Sequence, residues 1–257
     1  MKVVLLAGGL GTRLREETEY RPKPMVEVGG KPILWHIMKI FASQGHNEFI
    51  IATGYKSDYI KDYFLNYQTR ANDFTITPGR ADSLEIHGHS DESGWTVTVC
   101  DTGLETQTSG RVKRVEKYLM GEDFMCTYGD GLADVDLSAL LRSHNESNRI
   151  ATVTAVQPIS RFGVLEQEPD GTVTAFSEKP QSSSWINAGF FVFKNDVFNY
   201  LDDSSMLEDG PMHRLVADRQ LNSYRHHGFW QPMDTYRESQ LLNGLWDKNQ
   251  APWKIWS

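Results

Sequence analysis

Seven residues of strand length, Met1 to Ala7 (MKVVLLA), run into a glycine loop, Gly8-Gly9-Leu10-Gly11-Thr12-Arg13, and Lys23 follows between two prolines. A buried strand that empties into glycines is how nucleotide-binding α/β sheets commonly begin. Glycine lets the backbone come close to a phosphate, and successive N–H groups form an anion-binding nest. Arg13 and Lys23 add full positive charge. A tight strand-to-helix turn with solvated cations is the plainer account. Glycines, cations and position together favour a phosphate ligand.

Two common phosphate loops are excluded. A Walker loop requires Lys-Ser or Lys-Thr after its last glycine, where this chain has Thr12-Arg13. The dinucleotide fingerprint G-x-G-x-x-G fails at Leu14, and the next strand, Glu48 to Ala52, ends in Thr53-Gly54-Tyr55 without a ribose-binding carboxylate. Hydride transfer is therefore disfavoured. The stretch Leu6 to Leu14, followed by Pro22-Lys23-Pro24, resembles instead the opening signature of the nucleotidyl-sugar transferases, the sugar-nucleotide pyrophosphorylases. That resemblance implies a Rossmann-like α/β fold with a mixed, mostly parallel sheet flanked by helices. It places Leu6, Ala7, Gly8, Gly9, Gly11 and Thr12 at the nucleotide and makes Arg13 and Lys23 catalytic cations.

The periodicity agrees with such a sheet. Lys31 to Phe41 has apolar residues at helical spacing with Pro32 in its first turn, Gly45 ends it, and Asp58 to Tyr67 is a second amphipathic helix. Strand, helix, strand, helix implies right-handed crossovers. His36, among apolar neighbours, reads as a packed core histidine. From 72 to 101 the character changes: 74–77, 83–87 and 95–99 alternate or are β-branched, which predicts a small β excursion. His87 and His89 lack an acidic or cysteine partner nearby and read as part of a solvated hairpin, with an oligomer contact as one use for the excursion.

With 257 residues the chain can bury one α/β domain. We expect one unit over 1–257: a nucleotide part over about 1–135, a sugar part over about 136–235, then a helix and aromatic tail over 236–257. A net charge of -8 argues against nucleic acid as partner. No apolar run approaches membrane-spanning length and no basic-apolar leader is present, so no membrane partner is expected. Cys100 and Cys126 lie in strand-like runs and read as reduced core residues of a cytoplasmic protein.

The polar stretch Asp101 to Arg111 opens a helix expected over Val112 to Leu119. An arginine can donate to cytosine O2 and N3 while loop carbonyls accept from its amino group. A helix N-cap loop with a surface arginine accounts for the same residues equally well. The form Asp-Thr-Gly, a Thr-rich stretch and Gly-Arg resembles the cytidylyl-transferring members of the family. That likeness implies Gly103, Ser109, Gly110 and Arg111 at the base, with Tyr128 beside them.

Phe124 to Tyr128 is an apolar strand followed by Gly129-Asp130-Gly131, and open α/β sheets place ligands at such carboxyl ends. Asp-Gly is also an ordinary turn, and Asp134 and Asp136 read as turn and helix-cap residues. Further along, Phe162-Gly163-Val164, Glu178-Lys179-Pro180 and the strand entered through Asn187-Ala188-Gly189 resemble the family's sugar-side motifs. They imply Gly163, Glu178, Asn187 and Gly189 around the hexose and Lys179 on its phosphate. Asp234, in Trp-Gln-Pro-Met-Asp-Thr, could cap the helix over 236–245. The resemblance makes Asp130 and Asp234 the ligands of Mg²⁺.

The implied reaction joins CTP and α-D-glucose 1-phosphate into CDP-glucose and pyrophosphate, supplying nucleotide sugar for dideoxyhexose-containing O-antigen polysaccharide. A phosphate monoester is largely a dianion at neutral pH, so it needs no general base. Catalysis then reduces to positioning and charge neutralisation. Transfer of a uridylyl or thymidylyl group, and a non-catalytic sugar-nucleotide regulator, are the competing readings. Relatives by resemblance are homo-oligomers, some hexameric.

Overall fold

The computed structural model describes residues 1–257 except Ala81, Asp91, Ser93, Arg161 and Ser257. Its centre is a seven-stranded sheet: β1 (Lys2–Ala7), β2 (Glu48–Thr53), β3 (Thr96–Asp101), β4 (Phe124–Tyr128), β5 (Ala151–Val156), β6 (Ile186–Phe193) and β7 (Leu221–Arg225). The spatial order is β7-β5-β6-β4-β1-β2-β3. β1 pairs in parallel with both β2 and β4, β2 with β3, and β5 with β7. Only β6 runs against its neighbours β4 and β5. The mostly parallel α/β sheet anticipated from the sequence is the one observed. The carboxyl ends of β1, β2, β3 and β4, and the start of β6, therefore meet along one edge, where such sheets bind ligands.

Alternation in the strands splits the core between two faces. Val3, Leu5 and Ala7 of β1 pack with α1 (Ile33–Ala42) on one side, while Val4 and Leu6 pack with α3 (Thr108–Arg114) on the other. Between them in sequence lies α2 (Ser57–Leu65), and after them come α4 (Leu137–Ser147), α5 (Pro211–Ala217) and α6 (Tyr236–Asp247). α1 buries eight of its ten residues, including His36. Burying one such large apolar side chain is worth roughly 1.5–3 kcal/mol, so α1 is held by packing rather than by caps. The aromatic tail closes over this face: Trp253 is fully buried against His36, Phe229 and Trp246.

Three expectations shift. Thr96–Asp101 is the parallel edge strand of the main sheet, so the β excursion is confined to the hairpin Asp73–Thr75 with Glu85–His87. The predicted helix 58–67 is interrupted at Asn66, which separates Ser57–Leu65 from a short helix over Tyr67–Ala71. The helix expected from Val112 starts at Thr108. A Cβ on Gly110 would lie 2.7 Å from the carbonyl oxygen of Asp203. The glycine there admits a close packing contact and does not break the helix.

A second hairpin, Val164–Gln167 with Val173–Ser177, stands away from the sheet and leaves Phe162 and Phe176 exposed.

Candidate active site

Gly11 takes φ +64, and Thr12–Leu14 follow as a single 3-10 turn closed by the Leu14 N–H on the Gly11 carbonyl at 3.0 Å. A side chain at Gly11 would meet Thr18 Cγ2 at 2.7 Å, so glycine is required on both counts. The loop turns its backbone toward a cleft of about 320 Å³. Leu6 to Gly9, Gly11 to Arg13 and Lys23 line that cleft, with Arg111, Tyr128 and Asp130 opposite.

Two local pairings bring the carboxylates together. Trp230–Pro232 runs antiparallel to Gly131–Ala133, and the Met233 N–H bonds the Asp130 carbonyl at 2.9 Å. Asp234 is thereby carried to Asp130 from more than a hundred residues away. Asp234 is not the helix cap. Thr235 caps α6 and forms a capping box with Glu238, whose carboxylate accepts from the N–H groups of Asp234 and Thr235. The cap falls one residue later, and the Asp234 carboxylate turns to Lys23 and Arg13, two residues that line the cleft.

Lys23 reaches this pair from a 3-10 turn set by Pro22 and Pro24. Its Nζ donates to Asp130 Oδ2 at 2.6 Å and to Asp234 Oδ1 at 2.6 Å. Arg13 Nη1 donates to Asp234 Oδ2 at 2.9 Å. Burial by itself would lower the Lys23 pKa. The attraction and hydrogen bond of Asp130, with those of Asp234, outweigh it and raise the pKa above the ordinary lysine value. The side chain of Lys23 is 12% exposed and that of Arg13 is 75% exposed, so the lysine is fixed and the arginine is at the rim.

Arg111 is fixed in a different way. Its Nη1 donates to the Thr53 carbonyl (3.0 Å), Thr102 Oγ1 (2.7 Å) and the Gly103 carbonyl (2.8 Å). Its Nη2 donates to the carbonyls of Gly8 (2.9 Å) and Leu104 (3.2 Å). The guanidinium thus ties the carboxyl ends of β1, β2 and β3, and burial lowers its pKa. Gly103, expected to accept from the base, accepts from Arg111. Ser109 and Gly110 turn away from the cleft. The Ser109 hydroxyl donates to the Asp202 carbonyl at 2.8 Å, and Gly110 packs on Asp203. Thr106, Gln107 and Thr108 of the Thr-rich stretch line the cleft.

At the start of β6, Asn187 Nδ2 donates to the Tyr128 hydroxyl at 3.1 Å, and that hydroxyl donates to Glu208. Burial, then the Glu208 charge, raises the Tyr128 pKa. Gly189 has φ +78 and lies against the Tyr128 ring. Glu208 also accepts from the Thr108 hydroxyl at 3.2 Å. Glu208, half-buried in an Asp/Glu-rich loop, carries no motif that marks it in the sequence. Gly163, Glu178 and Lys179 are not among the residues lining the cleft. They sit at the exposed hairpin, where Lys179 faces Glu178 at 3.6 Å.

The donor set at Asp130 and Asp234 fits a divalent cation. Two hard carboxylates from different elements face one point, which Lys23 Nζ now takes. Among the described residues no third acidic, histidine or cysteine ligand joins them. Two protein carboxylates leave room in the shell of a hard divalent cation for water and phosphate oxygens.

A glycine loop, fixed cations and paired carboxylates at the carboxyl edge of a parallel sheet define a site for moving a nucleotidyl group. The chain belongs to the nucleotidyl transferase family, whose model matches residues 2–231. It is 47% identical, over the full length of both chains, to the glucose-1-phosphate cytidylyltransferase of Salmonella typhi. It is 44% identical, again over both full lengths, to the probable glucose-1-phosphate cytidylyltransferase of Bacillus subtilis. The crystal structure of HddC from Yersinia pseudotuberculosis superposes with a TM-score of 0.68 at 22% identity, covering 95% of this chain and 99% of that one. That likeness concerns the fold.

Proposed function

We propose that this enzyme transfers the cytidylyl group of CTP to α-D-glucose 1-phosphate, giving CDP-glucose and pyrophosphate. The observation that carries the reading is the convergence of Lys23, Asp130 and Asp234 beside the glycine loop, in a chain 47% identical to a glucose-1-phosphate cytidylyltransferase.

In this reading the backbone N–H groups from Gly8 to Thr12 cradle the triphosphate, and Arg13 neutralises the departing pyrophosphate. Lys23 bridges phosphates at the reacting centre. The sugar phosphate is already an anion and attacks the α-phosphorus in line, so the chain supplies charge and alignment rather than a base. Mg²⁺ held by Asp130 and Asp234 would supply hard divalent charge against the phosphate oxygens. Arg111 holds the base-side loop, and the chain Asn187–Tyr128–Glu208 joins that loop to the hexose side. Lys179 and Glu178 serve the acceptor from the hairpin. Two buried free cysteines support a reducing, cytoplasmic setting, and no helix among the described residues is long and apolar enough to cross a membrane. Exposed Phe74, Ile76 and Leu84 on the 73–87 hairpin support self-association.

Pyrophosphate release with glucose 1-phosphate and a panel of CTP, UTP, dTTP, ATP and GTP, with and without Mg²⁺, tests the reading. Release that requires Mg²⁺ and is fastest with CTP is expected. Preference for another nucleotide reassigns the base, and no release with any of them rejects the activity.

A further inference from the structure

We propose that Lys23 acts as a built-in counter-ion that keeps the divalent cation off Asp130 and Asp234 until a nucleoside triphosphate arrives. The inference rests on the reading of those aspartates as metal ligands and adds the order in which the site fills.

The geometry is specific. Lys23 Nζ lies 2.6 Å from one oxygen of each carboxylate, and Arg13 Nη1 lies 2.9 Å from the second oxygen of Asp234. Both oxygens of Asp234 thus face a cation of this chain, and one oxygen of Asp130 does. A divalent ion between the two carboxylates would sit at close range to an ammonium whose side chain is only 12% exposed. Like charges that close in a partly dry site repel strongly. Removing the lysine is equally unfavourable without a replacement, because it strands two facing carboxylates. The two carboxylates are thus matched by two cations of this chain, Lys23 and Arg13.

A triphosphate changes the balance. Lys23, Arg13 and the loop of Gly8 to Thr12 line one cleft. Phosphate oxygens entering it offer the lysine and arginine new anionic partners. The ammonium can then turn from the carboxylates to phosphate without losing its charge pairing. The carboxylates it leaves, together with those phosphate oxygens, complete an oxygen shell for a hard cation. The lysine that serves the reacting phosphate is thus also the group that blocks the metal beforehand. The prolines on either side keep its backbone fixed, so the exchange is a side-chain movement.

The test is direct binding of Mn²⁺, read by water-proton relaxation enhancement, which separates protein-bound Mn²⁺ from Mn²⁺ on free nucleotide. Bare wild-type protein should bind Mn²⁺ at least roughly tenfold more weakly than Lys23→Met, the scale of removing one buried charge partner. Adding CTP without sugar phosphate should bring Mn²⁺ onto the wild-type protein. The wild-type arms need no variant, so a poorly folding Lys23→Met does not stop the test. Bare wild type that binds Mn²⁺ as tightly as its CTP complex or as Lys23→Met overturns the proposal, while the ligand assignment stands. If no condition puts Mn²⁺ on the protein, the assignment of Asp130 and Asp234 falls, and the proposal with it.

Discussion

The guanidinium of Arg111 occupies the space that a side chain on Gly8 would need, and its Nη2 donates to the Gly8 carbonyl at 2.9 Å. The glycine of the phosphate loop is therefore shaped for a protein group as well as for a ligand. Gly54, at the end of the next strand, is crowded by the same guanidinium and by the Gly103 carbonyl, 2.8 Å from its ideal Cβ. One arginine on α3 thus spaces three strand ends, and the cleft between them inherits that spacing.

Gly8→Ala should be far more disruptive than Gly9→Ala. The first pushes a methyl group into the buried guanidinium and forces it off five acceptors; the second meets nothing within 4 Å. We expect a loss of about 2 kcal/mol or more for Gly8→Ala and less than about 0.5 kcal/mol for Gly9→Ala, measured by urea unfolding. Equal losses would remove the steric account of Gly8.

For Arg111→Lys the expected change is also in stability. A lysine has one point of charge and cannot satisfy carbonyls of Thr53, Gly103, Gly8 and Leu104 together. Leaving buried acceptors unpaired costs roughly 1–3 kcal/mol each, reduced where water enters from the cleft. A variant as stable as wild type, with altered preference between CTP and UTP, would instead assign Arg111 to base reading.

Lys23→Ala should lower turnover by at least roughly a hundredfold, the scale of losing one preorganised electrostatic donor. The measurement is kcat by pyrophosphate release at saturating substrates. Turnover within a few-fold of wild type would exclude the lysine from the reacting centre.

What was legible in the sequence follows the chain locally. β1, the glycine loop, the proline-flanked lysine and the aspartate after β4 are short-range features, and each lies where its local pattern placed it. Pairing partners are not local. Thr96–Asp101 alternates as a hairpin strand would, yet its partner is β2 across 43 residues of chain from Thr53 to Thr96 rather than the adjacent hairpin. Lys179 carries its motif on an exposed hairpin, 3.6 Å from Glu178, a placement that the local pattern does not contain. At Asp234 the capping signal was right in kind and displaced by one residue, because Thr235 with Glu238 satisfies the helix start more completely. Glu208 had no signal at all, since its role arises from Tyr128 and Thr108, which only the fold brings to it.

Tyr128→Phe should separate the two substrates. The hydroxyl links Asn187 to Glu208, while the ring remains packed on Gly189 and Phe191. Losing the hydroxyl frees Asn187 on the hexose side and leaves the triphosphate cradle intact. We expect KM for glucose 1-phosphate to rise several-fold and KM for CTP to change by less than about twofold, a roughly 1 kcal/mol effect. A rise confined to CTP would place Tyr128 at the nucleotide alone.

Acid should weaken the fold through His36. Burial pushes its pKa down to about 4 from 6.5, against a partly opposing hydrogen bond from its Nε2–H to the Val28 carbonyl at 2.8 Å. The Trp253 indole N–H faces Nδ1 at 3.3 Å, so Nδ1 is the acceptor and the ring is neutral. Between pH 6.5 and 4 the unfolded chain binds a proton here that the folded chain refuses. Stability contributed by the neutral ring is therefore complete above pH 6.5 and lost as pH falls toward 4. The loss amounts to roughly 3 kcal/mol over that window, which is large against a typical domain stability. Burial lowers the pKa of His46 and His144 as well, which adds to the loss in the same direction. The check is the ring resonance of His36 by NMR, alongside urea midpoints at pH 7 and pH 4.5. A ring that titrates near 6.5 in the folded protein would mean that the tail does not seal it, and the Trp253 contact would then carry no acid sensitivity.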